Sequence, residues 1–133
     1  MNKELDNQEQ ITNWFNNTYT KRGYWYLRPK KAYYIYLELL EAKANQKLLD
    51  IACGLGRLLE ASKDYKVEQY GIDISSVAIA KAKEHFPDFN LNVANAEDLP
   101  FEDSSFDIIT CIGSLERMIN TQNALKEMLR VGK

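Results

Sequence analysis

The chain has 133 residues, 45% of them apolar and 27% charged, with a formal net charge of −2. That length holds one domain with a sizeable core, in a composition typical of globular proteins. The slight acidity argues against broad electrostatic binding to nucleic acid or an anionic membrane surface, and no apolar run approaches the length of a membrane span.

Residues 1–12 read as a polar, frayed start. "ITNWFNNTYTKRGYWYLRPKK" then mixes aromatic and cationic side chains. Such interleaving is also found on nucleic-acid surfaces, but the net charge speaks against that use. "KRGYWYLRPKK" is read instead as a lid over a ligand, with packing of its aromatics on a sheet as the plain alternative. Pro29 stands where a helix can begin, and "KKAYYIYLELLEAKA" has helical character until Asn45 and Gln46 end it.

From Lys47 the pattern changes. "KLLDIA" reads as a buried strand and "GRLLEASKDY" as a helix directly after a glycine loop. "VEQYGIDIS" is a second strand ending on Asp73. Ser75 or Ser76 can cap the helix "VAIAKAKEHF", and Pro87 follows where a stop is expected. "FNLNVANA" is a shorter, more polar third strand, "EDLPFEDSSF" is rich in turn residues, and "FDIITCIGS" is a fourth strand. "NTQNALKEMLRVGK" is a helix with Gly132 as its C-cap. Alternating strands and helices call for an α/β fold with a parallel sheet and helices on both faces. Residues 1–46 are then an N-terminal helical or lid segment, and residues 47–133 the sheet-bearing domain.

Cys53 and Cys111 lie far apart without metal-ligand spacing, and His85 is the one histidine, so neither a zinc site nor a disulfide scaffold is expected. His85 and Cys111 have plain readings, a helix-end residue and a small buried hydrophobe. The polar N-terminus shows no leader pattern, which makes a reducing cytoplasm the default compartment.

The stretch "DIACGLGR" carries the most chemistry. A strand that ends in a small-residue loop and feeds a helix presents backbone N–H groups to an anion, and small side chains at Ala52, Gly54 and Gly56 allow close approach. A P-loop needs Gly-Lys-Ser/Thr, but Arg57 and Leu58 follow Gly56. A dinucleotide fingerprint starting at Gly54 puts Leu59 where helix–strand packing favours glycine or alanine. A third option adds Asp73, 23 residues after Asp50 and placed to take both hydroxyls of a ribose.

With these residues together, the chain resembles a class I S-adenosylmethionine-dependent methyltransferase of the small-molecule, Rossmann-like type. "LLDIACGLGRLLE" resembles the first motif of that family, "YGIDIS" the second, "NAEDLPFEDSSFD" the third and "IITCIGSLERM" the fourth, with "ALKEMLRVGK" as the helix that follows. The resemblance implies that Asp50 and the backbone of Ala52, Cys53 and Gly54 hold the methionine end of the cofactor. It gives Asp73 the ribose hydroxyls, Ile74 a place on the adenine, Ala96 a backbone N–H to the ring and Asn95 the adenine amino group. Glu97 is counted with this set, although a plain turn role competes for it. Cys111 and Ile112 border the sulfonium, and Arg28 of the lid reaches the methionine carboxylate.

Three positions depart from the family pattern. Ala52 replaces the usual first glycine, Asn95 stands where aspartate is common, and Arg117 follows "SLE" where histidine is frequent. The absence of an Asn-Pro-Pro-Tyr-like stretch counts against amino-methylation of DNA bases or protein amides. The resemblance further implies strand order 3-2-1-4, with the last strands of the family fold missing. "FDIITCI" would then be an apolar edge strand, so self-association through it is expected. No obvious base is visible, Glu116 being a weak candidate. The expected function is methyl transfer to a small-molecule acceptor. A non-catalytic cofactor- or partner-binding fragment and, less favoured, a dinucleotide-dependent oxidoreductase are the alternatives.

Overall fold

The computed structural model describes residues 7–21 and 29–133. Arg28 and most of the expected lid stretch lie outside these residues.

Helix α1 (Gln8–Lys21) is capped by Asn7, whose Oδ1 accepts from Gln10 N at 2.9 Å. Its apolar stripe is narrow. Ile11, Phe15 and Tyr19 recur every four residues, so they share one face, and Phe15 and Tyr19 pack against Leu55, Val77 and Ala78. The polar start expected over residues 1–12 therefore gives way to helix by Gln8. Helix α2 (Lys30–Leu39) begins after Pro29 and buries Tyr33 and Leu37, again four apart. These two residues belong to the same core as the sheet.

The sheet is built from β1 (Lys47–Ile51), β2 (Glu68–Asp73), β3 (Asn90–Val93) and β4 (Ile108–Thr110), in the order β3-β2-β1-β4. All three pairings are parallel. Between the strands run α3 (Arg57–Ser62), α4 (Ser76–His85) and, after β4, α5 (Thr121–Val131). Ser75 caps α4 by accepting from Ala78 N at 3.1 Å, Asn120 caps α5 by accepting from Asn123 N at 3.0 Å, and Gly132 closes α5. β3 and β4 are shorter than the apolar runs that announced them.

Strand alternation divides the core. Leu48 and Ile108 point to the face covered by α2, α3 and α4, together with Leu58, Leu59, Ile79 and Leu91. Leu49, Ile51 and Ile72 point to the other face, with Ala124 and Val131 of α5 and Phe106. Gly71 of β2 explains how Leu59 is accommodated. A Cβ there would lie 2.8 Å from Leu59 Cδ1 and 2.9 Å from Cys53 Sγ and Leu91 Cδ2. Helix and strand approach closely, but the glycine that permits it is on the strand.

The outer edge of β4 begins to pair near its start. Gly132 bridges Phe106 in parallel, with Phe106 N donating to Val131 O and Lys133 N to Phe106 O, both at 2.9 Å.

Candidate functional site

The C-terminal ends of β1, β2 and β4 open onto one cleft, the usual position for a ligand in an open parallel sheet. Asp50, near the end of β1, is register partner to Thr110 of β4. The side chains lie on the same face, and Thr110 Oγ1 donates to Asp50 Oδ1 at 2.6 Å. Asp50 is only 5% exposed. Burial pushes its pKa up from 3.8 to about 7, the Thr110 bond opposes this, and the nearby Asp73 charge adds to it. Thr110 has no counterpart among the residues singled out from sequence; it is found through strand register.

Beyond β1 the loop alternates into the left-handed region at Ala52 (φ 57°), Gly54 (φ 53°) and Gly56 (φ 82°). The φ of Ala52 shows why glycine suits that position and why alanine is a strained substitute. Part of the loop's donor capacity is used within the fold. Cys53 N donates to Ile72 O and Gly54 N to Asp73 Oδ2, both at 2.9 Å. Asp73 Oδ1 accepts from Ser75 N at 2.8 Å. Asp73 thus ties the loop to the start of α4. Burial raises its pKa, against the hydrogen bonds from Ser75, Gly54 and Ile74. With three N–H donors on its two oxygens, the carboxylate keeps acceptor capacity for one further donor.

Two adjoining cavities occupy the cleft. The smaller, about 80 Å³, is an apolar slot in which Ile72, Ile74, Ala94 and Ala96 meet Ile11 and Phe15 of α1, with Asp73, Asn95 and Glu97 at its polar margins. The larger, about 300 Å³, contains Asp50, the loop residues Ala52, Cys53 and Gly54, Arg57, and Ile112 after β4. Trp14, Phe15 and Tyr19 of α1 and Tyr33 of α2 form its aromatic side. Phe15, Tyr19, Ala52, Ser114 and Arg117 line both.

Helix α1 is therefore the roof over both cavities. Asn16 Oδ1 accepts from Ser75 Oγ at 2.7 Å, Lys81 Nζ donates to Tyr19 O at 2.5 Å, and Asn95 Nδ2 donates to Gln8 Oε1 at 3.2 Å. The cover expected from "KRGYWYLRPKK" is supplied, among the described residues, by the helix before it.

Asp50, Ala52, Cys53, Gly54, Asp73, Ile74, Asn95, Ala96, Glu97 and Ile112 thus come together around the cleft. Gly56 lines neither cavity; it is the N-cap of α3, where an added Cβ would meet Phe86 Cδ2 at 3.3 Å. Cys111 also lies outside both linings and packs on the α5 side of the sheet. Burial raises the thiol pKa of Cys111 to about 11 and pushes Cys53 well up, so neither is a ready nucleophile. Asn95 Oδ1 accepts from Glu97 N at 3.0 Å, which orders its own turn, and Glu97 Oε1 accepts from Asn120 N at 2.9 Å, which ties that turn to the start of α5. Glu116 lies outside both linings and pairs with Arg117.

Arg57 enters the site without having been singled out, and Arg117, noted as a departure from the family pattern and read as a surface cation ahead of a substrate contact, enters it too. Arg57 follows the loop directly, which was the available signal. Arg117 reaches the cleft because the chain after β4 turns back across the strand ends. Its guanidinium carbon lies 5.8 Å from the Phe15 ring centroid. Among the described residues, no group of three or more His, Cys, Asp or Glu could hold a metal ion, and no helix is long and apolar enough to cross a membrane.

Comparison with known proteins gives a consistent result. A methyltransferase-domain family matches residues 49–133. The demethylmenaquinone methyltransferase of Paenarthrobacter aurescens is 35% identical over 99 residues, 74% of this chain and 39% of that protein. The chain thus spans about two fifths of that relative's length. The YcgJ protein of Bacillus subtilis superposes with a TM-score of 0.71 at 29% identity, over 79% of this chain and 47% of that one. The 4+2 cyclase SpnF superposes with a TM-score of 0.80 at 24% identity, over 95% of this chain and 56% of that one, a likeness of fold.

Proposed function

The chain belongs to the methyltransferase-domain family, and on that footing we propose that it binds S-adenosylmethionine in the two adjoining cavities and methylates a small-molecule acceptor. The family generally uses this cofactor. The observation that carries the reading is Asp50, a buried carboxylate facing a cavity, with its pKa raised to about 7 by burial. Such a group is stabilised by a cation brought against it. The loop supports the same reading, because its alternating left-handed residues make a concave backbone surface.

The residues fit the cofactor part by part. The apolar slot suits a purine, and Asp73 has one acceptor position left for a ribose hydroxyl. Asp50 faces the ammonium of the methionine part, and Arg57, beside the loop, offers a partner for its carboxylate. When bound, the cofactor supplies a methyl group on a cationic sulfur that leaves as a neutral thioether. The protein's own contribution is alignment and exclusion of water. Tyr33, Ile112 and the roof of α1 enclose the larger cavity for that purpose. Both cysteines are free thiols, which supports a cytoplasmic setting.

A second reading, cofactor binding without turnover, is favoured by the acids and bases available. Among the described residues lining the larger cavity, Asp50 is the one carboxylate, and no histidine is present. Isothermal titration with S-adenosylmethionine, S-adenosylhomocysteine and NAD tests the common premise. Saturable binding of the first two with weak or no binding of NAD is expected; NAD bound as tightly as either would overturn it. Transfer of tritiated methyl to an acceptor then separates the two readings.

A further inference from the structure

The larger cavity carries a charge pattern that the cofactor does not complete. The ionised side chains that line it are Asp50, Arg57 and Arg117, and Arg57 Nε also lies 3.8 Å from Glu60 Oε2 behind the wall. Resting on the reading above, Asp50 pairs with the cofactor's ammonium and Arg57 with its carboxylate. The sulfonium and Arg117 then leave two positive charges facing the remaining space.

The anions near Arg117 do little to offset this. Glu116 lies 3.9 Å from Arg117 Nε, and its side chain is 66% exposed. A pair so open to solvent is weak. Asp73 and Glu97 share the neighbouring slot with Arg117, but hold backbone N–H groups there. Arg117 instead lies over the Phe15 ring, at a cation–π distance. That contact fixes the guanidinium beside the cavity without neutralising it.

The wall near Arg117 is aromatic. Phe15 meets Trp14 edge to face at 4.9 Å and stacks with Tyr19 at 6.4 Å. At about 300 Å³ for both the methionine part and the acceptor, the cavity is at the small end of ligand sites.

We infer that the acceptor is a small aromatic acid, its anionic group held by Arg117 and its ring against Trp14 and Phe15. A guanidinium suits a carboxylate by shape as well as by charge. A neutral acceptor would make no use of Arg117, whose side chain is 40% exposed and would stay with solvent and Glu116.

Benzoate and benzamide are matched probes, alike in ring and size and different in charge. Each is titrated into the full chain with S-adenosylhomocysteine saturating, in wild type, Arg117→Gln and Arg117→Lys. The expected result is benzoate at least tenfold tighter than benzamide in wild type. Arg117→Gln reduces this preference below threefold, and Arg117→Lys retains most of it. Equal affinities, binding of neither probe to the loaded chain, or a preference that survives Arg117→Gln each overturn the inference and leave the cofactor reading standing. Failure of S-adenosylhomocysteine to bind overturns that reading, and the inference with it.

Discussion

Replacing Asp50 by asparagine isolates the most unusual charge in the fold. Its pKa of about 7 against an ordinary 3.8 is a rise of 7 − 3.8 = 3.2. At 1.36 kcal/mol per pKa unit, ionised Asp50 costs the folded apoprotein about 4 kcal/mol. The folded state holds the proton more tightly than the unfolded chain. This contribution to stability is therefore fully present below pH 3.8, is lost as pH rises towards 7, and is level above. About 2.5 kcal/mol of the loss falls between pH 5 and pH 8. Asp73, also raised by burial, acts in the same direction. Asp107 and Glu127 are lowered, by the Lys47 N–H and by Arg130 respectively, so their contribution appears as pH rises through the acid range. Asparagine keeps an oxygen for the Thr110 hydroxyl and removes the charge. Urea unfolding of wild type and Asp50→Asn at pH 5 and pH 8, without ligand, is the assay. The variant's stability relative to wild type should rise by about 2.5 kcal/mol over that interval, while its affinity for S-adenosylhomocysteine falls. Parallel stability profiles would refute the assignment of a strained, buried carboxylate at this position.

Gly71→Ala places a Cβ within 2.8–2.9 Å of Leu59, Cys53 and Leu91; urea unfolding should show a loss of about 1–3 kcal/mol, and an unchanged midpoint would contradict the close packing. Ala52→Gly relieves a left-handed alanine at φ 57°. It should stabilise the chain by about 0.5–1 kcal/mol, read by the same assay, because the steric cost removed exceeds the glycine entropy introduced. We also propose self-association through the outer edge of β4, a short strand paired on one side only. Light scattering at micromolar concentration should report a dimer, and a clean monomer would count against it.

β1, β2 and β4 were legible as short apolar runs between helical patterns, β3 less so because three of its four residues are exposed, and the order 3-2-1-4 came from the family resemblance. The strand ends were less legible. "CIGS" continues the apolar run of β4 but leaves the sheet after Thr110, with Ile112 and Gly113 becoming cavity wall. Helix α1 was hidden by its polarity, with Ile11 and Tyr19 its buried residues; it folds onto a surface formed by Leu55, Val77 and Ala78, which no local pattern reveals. The ligand-facing loop was readable since small residues and acids mark it directly. Thr110 was not, because strand register brings it to the cleft, and Arg117 stood out only as a departure from the family pattern, its place in the cleft depending on the course of the chain after β4. Leu59 spoke against close packing in sequence, but the space it needs comes from Gly71, across the helix–strand contact.

The most direct test of the account is an amide chemical-shift titration of the labelled chain with S-adenosylhomocysteine. Saturable shifts are predicted in residues 50–56, 72–74, 94–97 and 112–118 and along α1. The absence of shifts, or shifts confined to the opposite end of the sheet around Lys47, Phe101 and Phe106, would contradict the two-cavity site.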